Sequence, residues 1–384
     1  MSVNNNIKSI LKKLISFPSV TPYDMGCQNY IMNYLKCIGF SCYQFNNFPV
    51  SNFFAFIGKS SPLLVFAGHT DVVSVGDENQ WIYFPFCLKE DNGMFYGRGV
   101  ADMKGAIASM MVAVKRFIDS FSKFNGSIGF LFTSGEEGDQ FHLGTSYVMK
   151  RLKLSGIIPD FCIVGEPSSN NFVGDCIKVG HRGSLNGELT LKGKQGHVAY
   201  PNHTLNIIHQ LNSVLFELSN KKFDKCYDKY FPNTSFQATY IKVNEGYNYG
   251  NNVLPGSLVL NFNFRFSSQQ NFQSLKKILL LCLDKRNICY SIKWKFNSRP
   301  LLLKRKFLLD VGIQSVKEVT NNFPYISTYG GISDSRFIAC YGVDTIELGL
   351  TNRTIHQINE RVSVSSLEVL VSIYFSIMKH ILLK

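Results

Sequence analysis

The sequence has no CxxC pair, no apolar run near membrane-spanning length, and no basic stretch interleaved with aromatic residues. The ten cysteines (Cys27, Cys37, Cys42, Cys87, Cys162, Cys176, Cys226, Cys282, Cys289 and Cys340) are scattered, most of them in apolar stretches. That distribution argues against a disulfide framework and for reduced, buried thiols in a cytoplasm. The longest apolar runs, such as Ile278-Leu279-Leu280-Leu281-Cys282-Leu283, fall well short of the roughly 20 residues a bilayer requires, so no membrane segment is expected. Met1-Ser2-Val3-Asn4-Asn5-Asn6 has neither a charged nor an apolar leader region, so no signal peptide is expected. Forty Lys and Arg against 27 Asp and Glu give a net charge of +13. The densest basic groups, Lys221-Lys222, Lys276-Lys277 and Lys304-Arg305-Lys306, form no binding platform, so nucleic acid is not an expected partner. The charge reads as compositional drift before it reads as steering of a polyanionic small substrate. There is no internal repeat and no low-complexity segment.

At 384 residues the chain has room for two domains. Its organising stretch is Gly68-His69-Thr70-Asp71, which follows the apolar run 63–67. That run reads as a buried strand, and residues two apart on a strand share a face. His69 and Asp71 then stand at a carboxyl edge, where open α/β sheets gather ligands. His69 is a candidate metal ligand, and Asp71 a candidate acceptor that fixes the imidazole tautomer. The pair alone fits a hydrogen-bonded strand end and a turn Asp better than a ligand. Two further strands, 127–133 and 161–164, run into Ser134-Gly135-Glu136-Glu137-Gly138-Asp139 and Gly165-Glu166-Pro167. Asp102 stands just before a helix expected over 106–117. Acids crowded behind apolar strands need a cation or protons to compensate them. Three such strand ends describe a metal site with nitrogen and oxygen donors.

After residue 178 the pattern changes. Strands are expected at 184–191, 235–243, 257–266 and 289–296, with helices at 203–218 and 271–284. The order βαββαβ is ferredoxin-like, and it is read as an inserted domain. The turn 246–252 carries polar groups suited to a ligand or another subunit. The α/β pattern resumes with a helix at 308–319, a strand at 324–328, a helix at 333–340, a strand at 343–348 and a closing helix at 365–382. The expected division is 1–181 with 297–384 as one domain carrying the candidate metal ligands, and 182–296 as an inserted second domain.

Several segments together resemble one known family. They are Gly68-His-Thr-Asp71, Gly97-Arg-Gly-Val-Ala-Asp-Met-Lys-Gly105, Thr133-Ser-Gly-Glu-Glu-Gly-Asp139, Val164-Gly-Glu-Pro167, Gly183-Ser-Leu185, Gln195-Gly-His-Val-Ala-Tyr-Pro201, Asn251-Asn-Val-Leu-Pro255, Gly330-Gly-Ile-Ser-Asp-Ser-Arg-Phe337 and Thr354-Ile-His-Gln-Ile-Asn-Glu360. Each is weak alone; in this order they resemble the co-catalytic di-zinc metallopeptidase family of aminoacylases, carboxypeptidases and deacylases. The resemblance implies a di-zinc exopeptidase-like α/β catalytic domain with an inserted ferredoxin-like lid. It implies two zinc ions per subunit, with cobalt able to substitute. His69 and Glu166 would hold one ion, Glu137 and His356 the other, and Asp102 both. It also implies a cis peptide between Asp102 and Met103, and Glu136 as general base and acid.

The same resemblance makes His197 an oxyanion donor supplied by a partner subunit, hence a homodimer through the lid. The activity implied is amide hydrolysis of a small anionic substrate. Arg182, Ser184, Tyr200, Asn251, Asn252, Arg265 and Gly331 are the candidates to bind it. The chain departs from the family at His181, where Arg is usual, and at Ile332, where Thr is usual. Both changes remove a donor. The expectation is weaker substrate binding or a shifted acyl preference, with metal chemistry intact. The alternatives are a related deacylase or dipeptidase and, further off, a binding protein that has lost catalysis.

Overall fold

A computed structural model describes residues 6–243, 250–303 and 307–383. The chain divides into two compact units. The first comprises Met1–Gly180, Leu303–Ser327 and Ile332–Lys384; the second comprises His181–Leu302 and Thr328–Gly331.

The first unit is built on an eight-stranded sheet. At its centre Leu63–His69 lies between Ser127–Thr133 and Phe161–Val164, parallel to both, and Asp344–Glu347 follows parallel to Phe161–Val164. All seven residues of Ser127–Thr133 are buried, as are six of seven in Leu63–His69. Strands covered on both faces read as unbroken apolar runs, which is why these two were legible. Ser41–Gln44 and Asn52–Gly58 extend one side antiparallel; Cys176–Lys178 and Tyr325–Ser327 complete the other. Helices Ile7–Ile15, Lys104–Ser120, Phe307–Thr320 and Val364–Leu382 pack within this unit.

Val364–Leu382 is, among the described residues, a helix long and apolar enough to cross a membrane by length and composition. Counting only uninterrupted apolar runs passes over it, because serines and Glu368 break its sequence. Ten of its residues are buried, packed largely on Lys104–Ser120 and Phe307–Thr320, and Tyr374 donates its hydroxyl hydrogen to the Leu348 carbonyl at 2.6 Å. These contacts are those of a core helix.

The second unit is an antiparallel four-stranded sheet ordered Ser235–Val243, Ser257–Phe266, Gly183–Lys192, Cys289–Ser298. Helices Ile207–Ser219 and Phe272–Asp284 complete the βαββαβ order. Alternation along Ser257–Phe266 is strict: Leu258, Leu260, Phe262, Phe264 and Phe266 are buried while the residues between are half-buried. The buried set packs with Leu185, Leu189, Leu211, Val214, Leu275 and Leu279.

Three sequence expectations need correction. The helix Thr145–Leu154 and the strands Cys176–Lys178 and Arg361–Ser363 were not anticipated. Each strand is only three residues long, too short to show a period. The helix begins only at Ile207, after a separate turn Pro201–His203, because Asn206 caps it by accepting the N–H groups of Ile208 and His209. Of the ten free cysteines only Cys27, Cys162, Cys176 and Cys282 are buried; Cys37, Cys87, Cys226, Cys289 and Cys340 are exposed. Within the turn expected at 246–252, residues 246–249 lie outside the described residues, as does the basic group at 304–306.

Candidate active site

In-register pairing of the central strands puts the acidic segments side by side. His69 pairs with Thr133, and Ala67 pairs with Val164. The residues just past those positions, Glu136, Glu137 and Glu166, therefore leave the sheet at one edge. Gly68 leaves room there for Met103: a Cβ on it would come within 2.1 Å of the Met103 methyl, which would have to move. The Met103 sulfur accepts the His69 N–H at 3.4 Å, and the Asp102–Met103 peptide is cis.

Asp102 is shared between two imidazoles. Its Oδ1 lies 3.1 Å from His69 Nε2 and its Oδ2 lies 3.3 Å from His356 Nε2. His69 Nε2 is also 3.5 Å from Glu166 Oε1, and His356 Nε2 is 3.0 Å from Glu137 Oε1. Donor atoms of His69, Glu136 and Glu166 lie within 4.8 Å of one another, as do those of His69, Asp102 and Glu137. Glu166 Oε1 is buried with no hydrogen-bond partner among the described residues. His356 is half exposed and adopts a left-handed backbone, φ 61°.

The electrostatics follow from this crowding. Burial, then the charge of Glu166, pushes the Glu136 carboxyl well above its usual range. Burial, then the charge of Asp102, does the same to Glu166. Burial also raises Glu137, against the bond it shares with His356. Burial would raise Asp102 too, but its bonds to His356 and His69 outweigh that and hold it low. Hydrogen bonds to Asp102 and Glu137 lift His356 to about 10. Burial disfavours a charged His69, yet the Asp102 bond and the neighbouring Glu166 and Asp71 charges raise it well above the usual value. These are side chains pressed into mutual protonation, the state a divalent cation would relieve.

Asp71 plays a different part from the one expected. Its main-chain carbonyl, not its carboxylate, accepts from His69 Nδ1 at 2.8 Å; the nearer carboxylate oxygen is 3.7 Å away. The carboxylate instead accepts the N–H of Glu137 at 3.1 Å and that of Glu136 at 3.4 Å. Asp71 thus fixes the imidazole through its backbone and the Glu136-Glu137 segment through its side chain.

In the second unit, His197 pairs with Val253 across a short antiparallel ladder, and Val198 donates to the Asn252 carbonyl at 3.0 Å. His197, Tyr200, Asn251 and Asn252 are exposed and gathered at this ladder, with the rings of His197 and Tyr200 5.6 Å apart. Ser184 and Arg265 are cross-strand partners. Ser184 Oγ accepts from Asn263 at 3.0 Å and from Asn297 at 3.3 Å. Arg182 donates to the Asn233 carbonyl at 3.1 Å and covers the Tyr329 ring, so much of its fork is engaged within its own unit. Gly331 is exposed. His181 is buried.

Two side chains near the cluster are not singled out by the sequence. Arg336 lies over the rings of Phe141 and Phe337, at 5.0 and 4.4 Å, with its Nε buried and without an acceptor among the described residues. Asp334 and Glu136 are the charges that act on it. Glu360 is buried and receives the backbone N–H groups of Gly99, Ala101 and Asp102. An Arg beside acids at a strand-end cluster was the available signal for the first; nothing local signalled the second.

The chain is similar to known proteins over nearly its whole length. A desuccinylase of Legionella pneumophila (strain Corby), named succinyl-diaminopimelate desuccinylase, is 51% identical over 378 residues, covering 98% of this chain and 99% of that one. A protein of the same name from Hydrogenovibrio crunogenus is 46% identical, covering 95% and 96%. Among solved structures, a metallo-carboxypeptidase from Sulfolobus solfataricus superposes with a TM-score of 0.77 at 16% identity, covering 97% of this chain and 98% of that one. The fold is therefore shared well beyond recognisable sequence. Residues 65–380 match the model of peptidase family M20/M25/M40, and the chain belongs to that family.

Proposed function

We infer that the chain is a metal-dependent amide hydrolase that cleaves N-succinyl-L,L-2,6-diaminopimelate to succinate and L,L-2,6-diaminopimelate, a step of diaminopimelate and lysine biosynthesis. The observation that carries the substrate is identity near 50% with succinyl-diaminopimelate desuccinylases over nearly the full length of both chains. The observation that supports the chemistry is the buried acid–imidazole cluster of the first unit.

The residues fit a pair of divalent cations. Imidazole nitrogens and carboxylate oxygens are the donors zinc prefers, with cobalt a substitute. His69 and Glu166 would hold one ion, Glu137 and His356 the other, and Asp102, already turned toward both imidazoles, would be common to them. Such ions, when bound, lower the pKa of water and polarise an amide carbonyl. Glu136 takes the proton of the attacking water and returns it to the departing amine; its raised pKa brings it nearer the neutral range, where a general base works best. The Glu136-Glu137 backbone is held by Asp71 during this exchange.

The substrate carries several carboxylates, so donors are needed. Arg182, Ser184, Tyr200, Asn251, Asn252, Arg265 and Gly331 of the second unit remain the candidates, and Arg336 of the first unit joins them. His197 is the candidate donor to the tetrahedral oxyanion. A homodimer through the second unit belongs to the same reading. It is supported by the edge strand Ser235–Val243, on which Tyr240, Ile241 and Val243 are exposed. A cytoplasmic location is supported by the exposed free thiols.

The test is the initial hydrolysis rate of N-succinyl-L,L-diaminopimelate and of N-acetylornithine, metal-free and with two equivalents of zinc. Zinc-dependent turnover confined to the succinyl substrate is expected. Turnover of the acetyl substrate alone would move the assignment to a related deacylase and point to His181 and Ile332.

A further inference from the structure

Glu360 stands four residues after His356 and is 1% exposed. Its Oε1 accepts the N–H of Ala101 at 2.7 Å and of Asp102 at 3.1 Å. Its Oε2 accepts the N–H of Gly99 at 2.9 Å and an N–H of Arg98 Nη1 at 2.9 Å. Gly99 has φ 85°, a left-handed conformation that turns its N–H toward the carboxylate. Arg98 donates to the Gln357 carbonyl and to the Ser74 carbonyl, each at 3.1 Å, and lies over the Trp81 ring. One buried ion pair thus ties together the segment after Asp71, the loop that ends at Asp102, and the loop that carries His356.

The two halves of the metal cluster are anchored differently. His69 and Glu166 sit at the ends of Leu63–His69 and Phe161–Val164, which pair in the central sheet. His356 has no such ladder; it lies in a loop with positive φ at both His356 and Asn359. That loop is held by Thr354 and Arg361 bonding each other and by the Arg98–Glu360 pair.

We propose that Glu360 and Arg98 are positioning residues that set the affinity for the ion held by Asp102, Glu137 and His356, and leave the ion held by His69, Asp102 and Glu166 nearly unaffected. The proposal rests on the metal assignment above. Glu360 aligns the backbone from which Asp102 projects and, through Arg98 and Gln357, the loop from which His356 projects. Removing its charge frees two of the three donors of the second ion, Asp102 and His356, but only Asp102 of the first. Neither residue touches the reacting atoms; both act through the ligands, as groups supporting metal-binding side chains do.

The experiment is zinc titration calorimetry of the metal-free full-length protein, wild type against Glu360→Gln, with His356→Ala marking which step belongs to the His356 ion. The wild type should take up two ions. Glu360→Gln should bind one ion within about threefold of wild type and the other ~10–100-fold more weakly. Its metal-free thermal midpoint is recorded alongside. Arg98→Lys, which keeps the charge but loses the fork, should show the same asymmetry more weakly, and it replaces Glu360→Gln if that variant does not fold. Equal weakening of both steps, or no change in either, overturns the proposal. A wild type that binds fewer than two ions would overturn the metal assignment instead, so the two failures are distinct.

Discussion

The two units hold their polar side chains in opposite ways. In the first, Asp102, Glu136, Glu137 and Glu166 are crowded together; burial raises Glu136, Glu137 and Glu166, while the bonds to His356 and His69 outweigh burial and hold Asp102 low. Each is costly there unless something positive compensates it. In the second, His197, Tyr200, Asn251 and Asn252 are exposed, while Arg182 and Ser184 are bonded to their own neighbours. Among the described residues no such group of candidate metal ligands lies in that unit. The first unit is therefore a site whose chemistry is dictated by its own residues. The second is a surface whose candidates acquire meaning only with a substrate or another subunit present.

This contrast predicts a hierarchy of effects. The largest should come from the first unit: Glu136→Gln should lower kcat on the order of 10²–10⁴-fold while two ions remain bound. Kinetics paired with metal analysis checks it, and loss of an ion would make Glu136 a ligand. Next, His197→Ala should lower kcat on the order of 10²–10³-fold with little change in KM, as expected for an oxyanion donor. A change confined to KM would place His197 on the substrate's ground state and narrow the contrast. Third, Arg336→Met should raise KM for the succinyl substrate about 10-fold or more, the loss expected of one charge-assisted hydrogen bond. An unchanged KM would mean that Arg336 only balances Asp334 and Glu136.

The smallest effect tests the second unit as scaffold. Its Glu217 is held by Lys285 and then Arg286, which bring its carboxyl down from 4.5 to about 2. A depressed carboxyl stabilises the fold above its unfolded value, and that contribution is lost as pH falls from about 4.5 toward 2. Glu217→Gln should therefore cost at most about 1 kcal/mol near neutral pH, as for an exposed pair. The difference from wild type in urea midpoints should vanish near the acid end.

Much of this was legible because burial leaves marks in sequence. Ser127–Thr133, Phe161–Val164 and Ser257–Phe266 coincide with their expected limits, since each shows either a largely apolar run or clean alternation; Ser235–Val243 coincides too, though it is exposed beyond its first two residues. Thr145–Leu154 escaped notice because its buried apolar positions, Val148, Met149 and Leu152, are only three and Leu154 faces solvent among the Lys and Arg residues. The candidate ligands were visible as acids behind apolar strands, but His356 was not, because no strand or helix period places it. Asp71 shows a further limit: a sequence names a carboxylate but not whether the side chain or the backbone carbonyl makes the bond. Glu360 shows the same limit at longer range, since its partners lie some 260 residues earlier.

The most direct test of the central claim, that the strand-end cluster of the first unit holds two ions sharing Asp102, is anomalous diffraction at the zinc edge from crystals of the zinc-loaded protein. Two peaks are predicted, one beside His69 and Glu166 and one beside Glu137 and His356, with the Asp102 carboxylate between them. A single peak, or ions bound away from Asp102, would contradict the account.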